Sequence, residues 1–142
     1  MIYQEDLGLT RWYIVFQNGE HVGRIWNVMK DGFRHCWAFT YDPITDTWLR
    51  VDATHRNIVI RPVANKDVPL MLADVRKKIL VVYDAKPKKF MWKSRLFVDC
   101  ASVIGYLVGV DVFFHTPWRL FCALRKNGGQ VNLPKGMSLK DL

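Results

Sequence analysis

The sequence predicts one α+β domain in which a small antiparallel sheet packs against a helix that starts at a cysteine. The chain has 142 residues, half of them hydrophobic, which matches the size and composition of a single folded domain. Short runs of β-branched and aromatic residues alternate with turn signals, as is typical of antiparallel strands. In the C-terminal half, apolar stretches follow residues that can cap a helix.

The N-terminal part predicts a strand and then a short helix. Arg11–Gln17 is rich in β-branched and aromatic residues and stops at the turn signal Asn18-Gly19. Four apolar residues then follow with the spacing of one helical face: Val22, Ile25, Trp26 and Met29.

The next segment predicts a β-hairpin followed by a third strand. Phe33–Tyr41 and Thr47–Ala53 flank residues 42–46, where Asp and Pro favour a tight reversal. Asn57–Arg61 reads as a further strand, and we expect Pro62 to limit its extension into a central ladder because proline has no N–H to donate.

The central part predicts a helix and a buried strand. Val68–Lys78 can form a helix with Asp67 as its N-cap and Pro69 in its first turn. The apolar run Ile79–Tyr83 suits a buried strand, and the basic segment Ala85–Arg95 follows as a connector.

Two helices and a tail are predicted for the rest of the chain. Asp99 can cap a helix from Cys100 to about Gly109, and Thr116 can cap a last helix that closes before Asn127-Gly128-Gly129. We therefore expect a single domain over residues 1–129 and a tail over residues 130–142 that is weakly ordered or reserved for a partner.

Charge predicts an anionic partner or a basic solvated surface. The 21 Lys and Arg against 13 Asp and Glu give a formal charge of +8. Lys86–Arg95 interleaves five cations with Phe90 and Trp92, a pattern that also suits single-stranded nucleic acid. No zinc-finger spacing, RNP motif or GXXG loop accompanies it.

Several classes of protein are disfavoured. The three cysteines have no CxxC spacing, so neither a disulfide framework nor a zinc site is expected, and no cofactor motif occurs. The longest apolar stretch, residues 100–110, is shorter than the about 20 residues of a membrane span. The first twelve residues lack the features of a secretory signal, so we expect synthesis in a reducing cytosol.

Cys100 is the candidate nucleophile. A cysteine in the first turn of a helix lies where backbone N–H groups and the helix dipole favour the thiolate. The alternative is a small buried hydrophobic residue, which is the commoner role of a free cysteine.

His35 and Asp52 are the candidate base and orienting residue. If the hairpin turns around residues 44 and 45, Trp37 faces Asp52, and His35 and Asp52 become diagonal neighbours on one face. A one-residue slip in register would replace Asp52 by His55. The alternatives are that His35 is a structural histidine with its hydrogen bonds satisfied, and that Asp52 or His55 lies at a solvated strand end.

Three strings resemble the NlpC-type papain-like cell-wall peptidases in permuted order. They are GFRHCWAF at 32–39, TWLRVD at 47–52 and RLFVDCASVIGYLVG at 95–109. His precedes Cys here, as in permuted members that include the lecithin retinol acyltransferase group. Small phage-encoded proteins with a GFRHC-like segment and a closing TP-x-x-L helix, present at 116–120, are also similar. Ala101-Ser102 stands where the family often has Ser-Gly.

The resemblance implies a papain-like fold and a thiol mechanism. Cys100 would attack an amide carbonyl, His35 would act as base and Asp52 would orient it. The implied substrate is the peptide stem of peptidoglycan or another anionic polymer, and we expect Lys93, Arg95 and Trp37 to contact it. The alternatives are a catalytically silent papain-like part of a phage virion, held by other virion proteins, and a nucleic-acid-binding module.

Overall fold

Six antiparallel strands form one sheet in a computed structural model of the chain, which describes residues 11–19, 29–53, 57–85, 99–110 and 116–142. The strands are β1 (Arg11–Gln17), β2 (His35–Asp42), β3 (Thr47–Ala53), β4 (Ile58–Val63), β5 (Ile79–Asp84) and β6 (Gln130–Asn132). Their order across the sheet is β4-β3-β2-β1-β5-β6. The helices of the described residues are α1 (Val68–Val75), α2 (Cys100–Val108) and α3 (Pro117–Lys126), with a 3-10 turn at Leu139–Asp141. The α+β class is therefore confirmed.

The two faces of the sheet carry different helices. Ile14 and Ala38 point to the face covered by α2 and α3, where Ile104 and Leu120 complete the larger part of the core. On the opposite face, a smaller cluster joins α1 to the central strands and consists of Val15, Trp37, Phe39, Met71 and Val75. This division follows from the alternation of side chains along each strand.

The predicted hairpin and its register are confirmed. β2 and β3 pair so that Tyr41 lies opposite Trp48 and Trp37 lies opposite Asp52. The connecting turn is stabilised by Asp42, whose carboxylate accepts from the backbone N–H of Ile44 at 3.0 Å. The turn chemistry therefore sets which residues of the hairpin share a face.

The caps predicted for the two C-terminal helices are confirmed. Asp99 Oδ1 accepts from the backbone N–H of Ser102 at 2.7 Å, and Ser102 Oγ accepts from the Asp99 N–H at 2.9 Å. This reciprocal capping box starts α2 at Cys100. Thr116 Oγ1 likewise accepts from the N–H of Arg119 at the start of α3.

Two elements in the middle of the chain have other bounds than predicted. The helix ends at Val75 instead of Lys78, and Asp67 makes no side-chain capping bond because its backbone is already helical, with φ −95° and ψ −13°. β4 continues through Pro62. Pro62 is tolerated there because β4 is an edge strand, where one N–H position has no partner strand.

The prediction of a weakly ordered tail is also wrong. Residues 130–132 form β6, which pairs with β5 from Leu80 to Val82, and Leu142 packs against the larger core cluster. A three-residue strand carries too little periodicity to be recognised in the sequence, and only the free edge of β5 gives it a partner.

Gly129 allows the chain to return closely from α3 to the sheet. A Cβ at this position would lie 2.8 Å from Cγ1 of Val81 and 2.9 Å from the carbonyl oxygen of Leu124. Since the carbonyl belongs to the backbone of α3, it cannot move aside like a flexible side chain. The close approach of α3 to β5 therefore requires glycine here.

Gly129→Ala is expected to lower the free energy of unfolding by about 2 kcal/mol because the added methyl overpacks this contact. Urea unfolding measures the change. Gly19→Ala is the matched control, since its Cβ would meet only the Cβ of His35, at an ordinary contact distance of 3.8 Å. Equal losses for the two variants would contradict the steric explanation.

Two predictions lie outside the described residues: the short helix through Val22, Ile25 and Trp26, and the basic connector after Ala85. Within the described ranges, no helix has both the length and the apolar character needed to cross a bilayer.

Candidate active site

Cys100 is the first residue of α2, and the capping box at Asp99 determines that position. The residue is only 9% exposed and packs within the larger core cluster. At a helix N-terminus, unpaired N–H groups and the helix dipole stabilise negative charge on the sulfur. The predicted location of the cysteine in the first helical turn is therefore confirmed.

His35 is the first residue of β2 and reaches Asp52 on β3. The distance from His35 Nε2 to Asp52 Oδ1 is 3.0 Å. The hairpin register explains the contact, because Asp52 lies opposite Trp37, two residues further along β2 and on the same face. The structure thus brings His35 to Asp52 and excludes the register slip that would have replaced Asp52.

Cys100 also influences the protonation of His35. Burial opposes the charged imidazolium, but the hydrogen bonds to Asp52 and to Cys100 outweigh it and raise the pKa of His35 to about 9. Since Nε2 faces Asp52, the other ring nitrogen, Nδ1, is the one left for the sulfur. His35 therefore links the carboxylate to the thiol.

The pKa of Cys100 lies well below that of an ordinary thiol. The largest cause is a hydrogen bond from the Cys36 side chain; burial opposes it, and the His35 hydrogen bond and charge lower the pKa further. The two shifts together favour a thiolate beside an imidazolium. This ion pair is the reactive form of a nucleophilic cysteine.

Cys36 is a member of the site that the sequence analysis missed. Its side chain is fully buried, and burial is the largest cause that raises the pKa of its thiol, so it stays protonated and donates to Cys100. A hydrogen bond from the backbone of Cys36 lowers the pKa of Cys100 further. Cys36 packs in the same core cluster as Cys100, and its position next to His35 in the sequence was the signal that could have found it.

Asp52 is held as a carboxylate. Its pKa is lowered first by the hydrogen bond to His35, against the effect of burial, and further by a hydrogen bond from Arg50. The distance from Arg50 Nη2 to Asp52 Oδ2 is 3.1 Å. Each carboxylate oxygen therefore accepts from a different side chain.

The other predicted site residues do not join this group in the described part of the structure. Trp37 is 1% exposed, its Nε1 donates to Gln17 Oε1 at 3.2 Å, and its ring lies under Arg50. The prediction that Trp37 contacts substrate finds no support in this placement. Lys93, Arg95 and His55 lie outside the described residues.

In the described ranges, no three His, Cys, Asp or Glu side chains form a group that could hold a metal ion. The site brings together the Cys100 thiol, the His35 imidazole and the Asp52 carboxylate. That order supports nucleophilic attack with proton transfer.

No family model, curated protein or solved structure matches this chain. Function is therefore inferred from the geometry around Cys100.

Proposed function

We propose that this chain is a cysteine hydrolase with a papain-like arrangement that cleaves an amide bond. The observation that carries the proposal is a cysteine at a helix N-terminus whose thiol pKa is lowered by an imidazole, and that imidazole lies 3.0 Å from the Asp52 carboxylate. A buried structural cysteine needs none of these partners. Together they lower the pKa of the thiol and supply a proton donor beside it.

The arrangement supports a two-step reaction. The Cys100 thiolate attacks the amide carbonyl, and the backbone N–H of Cys100 faces the developing oxyanion. His35, already protonated, gives its proton to the leaving amine, and the C–N bond breaks to leave a thioester. Water then loses a proton to His35 and attacks the thioester. The carboxylic acid is released, and the Cys100 thiolate beside protonated His35 is restored.

Peptidoglycan is the substrate class we propose. The support is the similarity of the His, Asp and Cys strings to NlpC-type peptidases, together with the formal charge of +8, which suits largely anionic wall polymers. A stem-peptide amide is then the bond attacked.

The proposal is tested by incubating purified cell walls from several bacteria with the protein and identifying released peptides by mass spectrometry. We expect release that Cys100→Ala abolishes and that Cys122→Ser, a change at an exposed cysteine, leaves intact. Activity should fall as pH rises through about 9, because His35 then loses the proton it gives to the leaving group. Release that persists in Cys100→Ala would overturn the proposal.

A second candidate function is a catalytically silent papain-like module of a phage particle. The low exposure of Cys100, 9%, favours it, because a nucleophile must meet its substrate. The two candidates differ in one measurement: a silent module leaves Cys100 inert to iodoacetamide in the folded protein, whereas a hydrolase exposes a reactive thiolate.

A further inference from the structure

Arg50 contacts both Asp52 of the candidate active site and Trp37 of the smaller core cluster. Its Nη2 lies 3.1 Å from Asp52 Oδ2, and its guanidinium carbon lies 3.9 Å from the centre of a Trp37 ring. A guanidinium stacked on an aromatic face and bonded to a carboxylate has little freedom to turn. Arg50 is therefore held from two directions.

The sheet places these groups together. Arg50 and Asp52 are two residues apart on β3 and so share the face that carries α1. Trp37 lies directly opposite Asp52 on β2 and is anchored at its far end by Gln17 on β1. Three strands thus support one guanidinium.

We propose that Arg50 is a positioning residue that fixes the Asp52 carboxylate so that its Oδ1 faces His35. A carboxylate held only by His35 can rotate about its side-chain bonds, and the imidazole can rotate with it. A second contact on Oδ2 removes that freedom and keeps the other ring nitrogen directed at Cys100. The inference rests on the proposed function, because it assigns Arg50 to the same thiol site.

The two possible roles of Arg50 predict opposite changes in the pKa of His35. Among the described residues, Asp52 from β3 and Cys100 from α2 act on the imidazole. Arg50 bonds to Asp52, and Cys36 acts on Cys100. If Arg50 positions the carboxylate, its loss weakens the Asp52–His35 hydrogen bond and lowers the pKa of His35. If Arg50 only adds a positive charge nearby, its loss raises that pKa.

The test follows the His35 imidazole by NMR across pH and the alkylation of Cys100 by iodoacetamide. In Arg50→Gln we expect the pKa of His35 to fall and Cys100 alkylation at pH 6 to slow about tenfold, the size of one charge-assisted hydrogen bond. Arg50→Lys keeps the charge but loses the planar guanidinium, so we expect the pKa of His35 to fall in this variant as well. A higher pKa of His35 in Arg50→Gln, or an unchanged pKa of His35 in Arg50→Lys, would overturn the inference.

Arg61→Gln is the matched control. Arg61 lies directly opposite Arg50 on the neighbouring strand and is exposed, so this variant makes the same change of charge without touching Asp52. We expect Arg61→Gln to leave the pKa of His35 and the alkylation rate of Cys100 unchanged. In an Asp52→Ala background, Arg50→Gln should cause no further shift, since its effect passes through that carboxylate.

The outcomes separate this inference from the proposed function. A native protein in which His35 titrates near about 6.5 and Cys100 near about 8.5 would overturn both. If the native protein has the shifted pKa values of His35 and Cys100, but the Arg50 variants leave them unchanged, only the role of Arg50 is overturned. If Arg50→Gln does not fold, the comparison of Arg50→Lys with native protein decides the question.

Discussion

Replacing His35 with alanine is expected to slow alkylation of Cys100 at pH 6 by about 100-fold. In the native site the thiol is ionised well below its usual range, because Cys36, His35 and the helix terminus stabilise the thiolate. Without the imidazolium, burial opposes the remaining hydrogen bond from Cys36, so we expect the pKa of Cys100 to return toward the free-thiol value of about 8.5, at which less than about 1% is ionised at pH 6. The greater intrinsic nucleophilicity of a more basic thiolate offsets part of this loss.

The measurement is the rate of iodoacetamide reaction from pH 5 to 10, with the modified cysteine identified by peptide mapping. Cys122→Ser serves as background, because Cys122 is exposed, whereas Cys36 is retained since it donates to Cys100. His55→Ala is the control for the alternative orienting residue and should leave the profile unchanged. An identical profile for His35→Ala and native protein would show that no thiolate–imidazolium pair exists.

Phe121→Ala is expected to lower the free energy of unfolding by about 3–5 kcal/mol, the usual result of deleting a buried phenyl ring. Phe121 on α3 is 1% exposed and joins the helix to the sheet. Its ring centre lies 5.6 Å from that of Phe16, 4.9 Å from that of Phe33 and 5.5 Å from that of Trp118. Removing it opens a cavity at the centre of this aromatic group.

Urea unfolding followed by tryptophan fluorescence measures the loss. Leu70→Ala is the control, because Leu70 is also a large apolar residue on a helix but is 71% exposed, and its truncation should change stability by less than about 0.5 kcal/mol. A loss below about 1 kcal/mol for Phe121→Ala would mean that α3 is not packed on the sheet as described.

The amino-acid sequence by itself determined the features that depend on neighbouring residues. The turn at residues 42–46 sets the register of β2 and β3, and that register brings His35 to Asp52. The capping box at Asp99 sets the first residue of α2, and therefore the helix-start position of Cys100. Hydrogen bonds within a turn or within one helical turn decide both, so short-range patterns predict them.

The tertiary structure alone decided the contacts between distant segments. Cys36 becomes a donor to Cys100 only because α2 packs on the face of the sheet that carries Cys36. Arg50 becomes a support for Asp52 because Trp37 is buried below it, and residues 130–132 become a strand because β5 has a free edge. Each depends on which surfaces remain open once the sheet has formed, and no local pattern of residues encodes that.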